Sequence, residues 1–489
     1  MNNIIIVGGG TAGWMTAATM IKAYPNSNIT VYEDEQSPAT GVGESTTQFF
    51  RKWLYYVGIE DEEWMKECDA TYKISVQFHD FHKKGDVPWQ YPFGLPRTDT
   101  YTPDMWFYKQ WHDGWPSDGL ARDYFLAAEC GARNKLPVTE NPWFNVKHNS
   151  GFHFNAVKFS AWLRDNYCLP KGIKHKKKKL NKKKLPKHDI LFDCTGFKSV
   201  FNDSPWVSYE DYLPNNSAWV TRVHYDDKNE QIKPVTDCTA LSSGWVWNVP
   251  TFDTIGTGYV FCDKFISPED ARNEFREHLT NNVQSDCGVY SDKMFRQLKW
   301  KTGRKKEIWK DNVVSIGLSA GFIEPLESNG LLSIHNFLLM LVRVLEDRPV
   351  HTQFMRDTFN NNCIYTFDAF ASFVAMHYSL TQRDDSPYWK HVSQIKYPSH
   401  HMIQTAQINF MEESSNFGQK YQWHPLYEGL WCIMAGHNWG PFNSVIESEI
   451  NFFGPTDPML TTLQRPVWDV DIDNMPTPYE YYKRTIYAD

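Results

Sequence analysis

"IIIVGGGTAGWMTAATMIKAY", residues 4–24, carries an apolar run into a glycine loop and on into a helical pattern. Ile4–Val7 has the length and composition of a strand, residues 8–13 read GGGTAG, and apolar and small residues follow from Trp14. Gly8, Gly10 and Gly13 thus form a GxGxxG between a strand and a helix, the context that makes this common pattern informative. A second strand, Ile29–Tyr32, leads to Glu33, twenty residues past the last glycine. The glycines allow a tight turn and close approach of backbone to a pyrophosphate, the helix start offers free N–H groups, and Glu33 can accept from a ribose hydroxyl. An acid at that point favours a free 2′-hydroxyl, so FAD or NAD is expected before NADP.

Outward from this unit the chain is long, 489 residues, enough for a large core or two modules around a cleft. Aromatics reach 16%, a supply suited to cavity walls. The N-terminus lacks a basic leader and signal core, and Leu331–Leu345 is interrupted by Ser333, His335, Asn336 and Arg343, so a cytoplasmic protein without a membrane span is expected. Nine cysteines without a CxxC pair predict reduced thiols. Residues 171–187, KGIKHKKKKLNKKKLPK, hold ten lysines and no acid, which leaves 40 basic against 58 acidic residues elsewhere. The segment reads as a solvated loop; a nucleic-acid or membrane patch is disfavoured because it contains no aromatic and lies between core-like segments.

Further strands are expected in HDILFDCTGF (188–197) and DNVVSIGLSAGF (311–322), so the fold class is α/β, mixed with α+β, with its sheet assembled from distant segments. An antiparallel sheet is expected over about 205–265, and helices over 265–380, one of them capped by Ser267 with Pro268 in its first turn. The domain reading is an FAD-binding module over 1–400, with substrate-facing sheet at about 70–130 and 205–265. Residues 401–489 form a C-terminal helical and aromatic part. TYKISVQF, residues 71–78, alternates polar and apolar and reads as one strand; alone it would leave Lys73 on a wet face. GTGYVF (256–261) has Phe261 where a second fingerprint needs glycine, so a flavoprotein of this kind takes its electrons from elsewhere.

VGGGTAGWMTAA (7–18), GVGEST (41–46), DCTGFKS (193–199), GWVWNVP (244–250) and GFIEPLESNGL (321–331) together resemble the flavin-dependent halogenases of the tryptophan-halogenase type. Trp245-x-Trp247-x-Val249-Pro250 is similar to that family's WxWxIP signature with valine for isoleucine. The resemblance implies a flavin monooxygenase-like FAD module with a mainly helical substrate module. It also implies FAD as FADH2, supplied by a separate flavin reductase. In that family reduced FAD and dioxygen give a flavin hydroperoxide, and chloride, bromide or iodide converts it to hypohalous acid, which reaches an electron-rich arene through the protein.

By the same resemblance, cofactor contacts fall to Gly8, Gly10, Thr11, Ala12, Gly13, Glu33, Gly43, Glu44, Ser45 and Gly317, and halide to Asn329 and Gly330. Lys73 matches the family's lysine at the substrate end of the passage, which turns the polar face of 71–78 inward. Its ammonium can polarise the oxidant, or its free amine can be halogenated. Glu327 matches the glutamate that removes the arenium proton, and Ser328 supports it. Trp245, Trp247 and Pro250 wall the passage, and Tyr91 and Phe93 of YPFG (91–94) flank the substrate.

Departures from the pattern set further expectations. The lysine run replaces a longer hairpin and is read as non-catalytic, Leu318 stands where related flavoproteins carry an acid, and Glu324 is read as structural. Tyr91 replaces a histidine, and YQWHPLYEGLW (421–431) lacks the set that grips an amino-acid backbone, so an indole or phenol is expected in preference to free tryptophan. His79, Asp80 and His82 lack a partner cluster for a metal, and no GxSxG nucleophile is present. A flavin-dependent aromatic hydroxylase is the alternative activity, and a catalytically dead FAD-binding regulator is disfavoured because Lys73 and Glu327 are present. A homodimer is compatible with these features; no nucleic acid or membrane partner is expected.

Overall fold

A computed structural model describes residues 1–34, 36, 44–97, 119–283, 291–345, 351–396, 432–438 and 468–488. Asn3–Val7, the run that opened the sequence, is the buried centre of a six-stranded sheet. Asn28–Glu33 and Ile190–Asp193 flank it in parallel, Lys174–Lys177 pairs beyond the first of these, and Val313–Ser315 with Trp309–Lys310 lies beyond the second. The expected strand–loop–helix unit is present, with the helix Thr11–Ala23 packed against the later helix Asn329–Leu345. Because these strands run parallel, Gly8, Glu33 and Cys194 all leave the sheet at its carboxyl edge, the side on which such sheets bind ligands.

A second sheet of seven strands runs in the order Arg296–Lys299, Ser217–Val223, Ile255–Phe261, Gly244–Pro250, Val235–Ala240, Ser75–His79 and Trp89–Pro92. It is antiparallel apart from the parallel pairing of 235–240 with 75–79. The expected sheet over 205–265 is there. The expectation over 70–130 needs correction: 119–124 and 126–132 are helical. Ser267 caps the helix Pro268–Asn282 through Asp270 N at 3.1 Å, as the sequence predicts. The boundary placed near 400 and most of 401–489 lie outside the described residues.

Two sequence expectations fail for backbone reasons. TYKISVQF is not one strand: Thr71–Lys73 joins a small sheet with Gly151–Phe154 and Glu44–Ser45, and Ser75–His79 joins the seven-stranded sheet. Ile74 is the handover, donating to Pro234 O at 2.7 Å and accepting from Phe93 N at 2.8 Å. Both faces are covered, so Thr71, Lys73 and Ser75 are as buried as Tyr72, Ile74, Val76 and Phe78. The lysine run, read as a loop, contains the edge strand Lys174–Lys177, for its backbone can pair with Thr30–Glu33 while the lysine side chains stay in water.

The strand bearing Lys73 is held tightly. Tyr72 N donates to Tyr482 OH at 2.6 Å, and Tyr72 OH donates to Asp61, which also takes both Arg51 NH groups at 3.1 Å. Phe50, Trp53, Trp64, Phe152, Phe154 and Phe159 pack behind it with ring centroids 4.8–6.4 Å apart. Aromatic burial on this scale fixes backbone that a short strand could not fix alone.

Candidate active site

The glycine loop has two different kinds of glycine. Gly8, at φ +124°, would place a Cβ 2.2 Å from Cys194 O, and Gly13 would place one 1.9 Å from Gly8 O, so both are demanded by the chain's own backbone. Gly10 has ordinary extended dihedrals and nothing within 4 Å of a Cβ. Its open side faces a cavity of about 760 Å³ that Thr11, Ala12, Glu33, Ser45, Gly317, Leu318 and Gly330 also line. The first bond of the helix, Trp14 N to Gly10 O at 3.1 Å, leaves the preceding N–H groups for a ligand. A dinucleotide fits this cradle in size and donor set. Gly10→Ala is therefore expected to fold as the parent does and to weaken FAD binding roughly 10-fold, because only the ligand needs that space. Gly13→Ala should impair folding itself, and melting curves beside FAD titrations separate the two.

Glu33 lines the cavity and has a partner of its own. Its Oε2 is 2.8 Å from His175 Nε2, and its carboxyl lies over Gly9. His175 comes from the lysine run and was not legible as a site residue. Gly43 lies outside the described residues, as does the side chain of Glu44.

Behind Ser45 and Ser328, which line the cavity, Lys73 is fully buried and itself lines neither the large cavity nor the small one. Its Nζ donates to Ser328 Oγ at 2.7 Å and Ser45 Oγ at 2.9 Å, and sits 5.3 Å over the Phe93 ring. Burial pulls its ammonium down to about 8, against the opposing pull of the Glu327 carboxylate. Ser328 donates to Ser45 at 3.1 Å, and Ser45 meets Thr236 Oγ1 at 2.9 Å, which lies 2.7 Å from His153 Nε2. Ser45 already accepts from two donors, so its own proton is left for Thr236, and the chain runs away from Lys73 to His153. Burial and the Lys73 charge keep that imidazole well below its usual range, so it is a neutral acceptor. Ser45, expected only at the cofactor, thus links the cavity to the lysine.

Glu327 ends a 3-10 turn, and Ser328 follows at φ +55°, which swings the chain into the helix from Asn329. Asn329 and Gly330 face the large cavity from that helix start, and Asn329 Nδ2 donates to Glu324 O at 3.2 Å. The Glu327 side chain points the other way, into a smaller cavity with Thr47, Gln48, Phe49, Tyr91, Phe93, Phe370 and Phe373. Its Oε1 is 2.8 Å from His377 Nε2, out of line for a straight hydrogen bond. His377 Nδ1 donates to Phe373 O at 3.1 Å, which fixes the ring beside the carboxylate. His377 had no sequence signal, being one histidine in the long helix Gln353–Ser379.

The tryptophan pair divides. Trp247 lines the large cavity and lies flat over Gly258, whose Cβ would fall 2.3 Å from the ring. Trp245 does not line it: its indole is 3.4 Å from Glu324 Oε2, a carboxylate also held by Asn215 at 2.7 Å, and Pro250 serves as acceptor for Thr71 at 2.6 Å. Thr236 and Cys238 share a face of their strand and also line the cavity. His79 pairs with Asp237 at 2.8 Å and His82 with Asp86 at 2.6 Å, and no metal-holding group of three His, Cys, Asp or Glu occurs among the described residues. No helix among them is long and apolar enough to cross a membrane.

Residues 3–441 match the family model described as tryptophan halogenase. The chain is 31% identical over 433 residues to the tryptophan 6-halogenase SttH of Streptomyces toxytricini, covering 80% of each. It is 26% identical over 496 residues to the tryptophan 7-halogenase RebH of Lentzea aerocolonigenes, covering 89% of each. Among solved structures, VirX1 superimposes with a TM-score of 0.81 at 30% identity over 100% of both chains, and SttH with 0.79 at 28% over 99% of both. The chain belongs to the tryptophan halogenase family of flavin-dependent enzymes.

Proposed function

We propose that the protein is an FADH2-dependent halogenase of an electron-rich arene, an indole or phenol without an amino-acid zwitterion. The observation that carries this reading is the junction at Ser45 and Ser328. Both hydroxyls line the flavin-sized cavity and both accept from Lys73, while Glu327, the residue before Ser328, faces the aromatic cavity beyond. Bound reduced FAD supplies, with dioxygen and halide, the hypohalous acid, and a separate reductase supplies the FADH2. Trp247 walls that side, and the helix start at Asn329 and Gly330 suits a halide. Lys73 meets the oxidant as a hydrogen-bond donor and polarises it, and Glu327 takes the proton that the halogenated arene must lose. Tyr91, Phe93, Phe370 and Phe373 supply ring faces, and the cavity they line, about 20 Å³ as it stands, has to widen by side-chain movement to admit an arene.

The test is FADH2 fed by a reductase, with chloride, bromide, iodide or no halide crossed with indoles, phenols and tryptophan, read by mass spectrometry. Halogenated arene that requires halide is expected, with free tryptophan a poor substrate; hydroxylated product without halide would replace this reading with the hydroxylase. A pH profile tests the role of Lys73. If its ammonium is the working form, single-turnover halogenation falls as pH rises past about 8, where the buried group loses its proton. The limb should stay in place between chloride and bromide, whose hypohalous acids ionise at different pH. A rate that rises through the same point would favour the N-halogenated amine.

A further inference from the structure

We propose that the lysine-rich segment is an electrostatic landing site for the anionic reduced flavin at the mouth of its cavity. Ordinary edge protection accounts for Lys174, Lys176 and Lys177, since lysines along an edge strand keep other chains from pairing there. It does not account for the lysines that follow. The strand runs parallel to Asn28–Glu33 and hence to Asn3–Val7, so its carboxyl end opens on the side of the glycine loop. Lys178 and Lys179 come next and line the large cavity, Lys198 and Lys299 line it as well, and Lys182, Lys183 and Lys184 continue in exposed positions. The two acids in that lining both have close partners: Glu33 Oε2 lies 2.8 Å from His175 Nε2, and Asp34 has Lys179 at 3.7 Å.

The rest of the chain is strongly acidic, 40 basic against 58 acidic residues outside 171–187. An anion arriving from elsewhere meets net repulsion, and this segment reverses the sign locally beside the cavity. The inference rests on the flavin reading above. A reductant made on another protein must cross water, where dioxygen consumes it, so the capture rate decides how much reaches the site. Nucleic acid would also suit lysines, but the segment has no aromatic on which a base could stack.

The experiment is stopped-flow binding of FAD to the full chain across ionic strength, read by flavin fluorescence. Lys178→Gln/Lys179→Gln/Lys182→Gln is compared with Lys22→Gln/Lys293→Gln/Lys390→Gln, which removes the same charge from exposed sites outside the cavity lining. The first variant is expected to associate about 10-fold more slowly at low salt, with unchanged dissociation and a flattened salt dependence, and to converge with the parent near 1 M, where screening is complete within about 3 Å. The second should follow the parent. Equal slowing in both would make net charge the cause and overturn the landing site, as would no slowing in either. Retention of DNA or anionic vesicles by the parent, lost in the first variant with FAD association unchanged, would reassign the segment. A parent chain that does not bind FAD would sink the flavin reading itself, a result distinct from salt-independent binding.

Discussion

Lys73→Met is expected to lose arene halogenation by at least about 10²-fold while gaining thermal stability. The two effects share one cause. Burial holds the ammonium down at about 8 from an ordinary 10.5, a penalty of about 3 kcal/mol on the folded state. Methionine fills similar volume without a charge, and the Ser45 and Ser328 hydroxyls remain satisfied by each other and by Thr236. In a chain of this size the melting temperature should rise by roughly 1–3 °C. The pH dependence has a definite sign. Below about 8 folded and unfolded chains both hold the proton and the penalty is complete. Between about 8 and 10.5 only the unfolded chain holds it, so parent stability climbs with pH and the variant's advantage fades. Melting both proteins at pH 7 and pH 10 checks this, and a variant that melts lower at pH 7 would show that the lysine is a structural donor.

The second large effect is at Glu327. Glu327→Gln keeps size and shape but cannot take a proton, and a lost general base costs about 10²- to 10⁴-fold in halogenation. Halide-dependent oxidation of FADH2 should continue, because the carboxylate lies on the aromatic side of the junction and does not line the flavin cavity. Glu324→Gln is the matched control. It is equally buried, but it lines neither cavity and its Oε2 is held by Asn215 and Trp245, so halogenation should stay within a few-fold of the parent. Similar losses in both variants would mean that burying a neutral amide, not losing a base, is responsible.

What could be read from the sequence followed from local rules. The glycine loop needs only its neighbours along the chain, and the cap at Ser267 needs three residues. Lys73 and Glu327 became legible through family motifs; the Lys73–Ser328 contact that brings them near each other joins a strand and a helix start far apart in sequence. Features set by tertiary packing stayed hidden. Alternation in 71–78 holds residue by residue, yet one residue, Ile74, passes the chain between two sheets, and no pattern of polarity records a handover. The tryptophans at 245 and 247 look equivalent in sequence, and the glycine opposite Trp247 with the acid beside Trp245 assigns them different work. His175 and His377 act through partners on other segments, so neither had a spacing to find.

Cys238 bears on how long the catalyst lasts. Its thiol is buried, but it lies in the cavity wall on the face shared with Thr236, close enough to Lys73 and Glu327 to feel both charges. Hypohalous acid oxidises sulfur: the S–H bond is replaced by S–X as water forms, the halogen is reduced, and hydrolysis leaves a sulfenic acid and halide. On the proposed chemistry each turnover would carry a small risk of self-inflicted damage beside the lysine, and the yield per chain should be finite even with reductant in excess. Cys238→Ala is expected to leave the initial rate near the parent's and to raise the total product made before activity dies. Intact mass of the spent parent should carry added oxygen on the peptide that holds Cys238, and equal lifetimes for the two proteins would place the damage elsewhere.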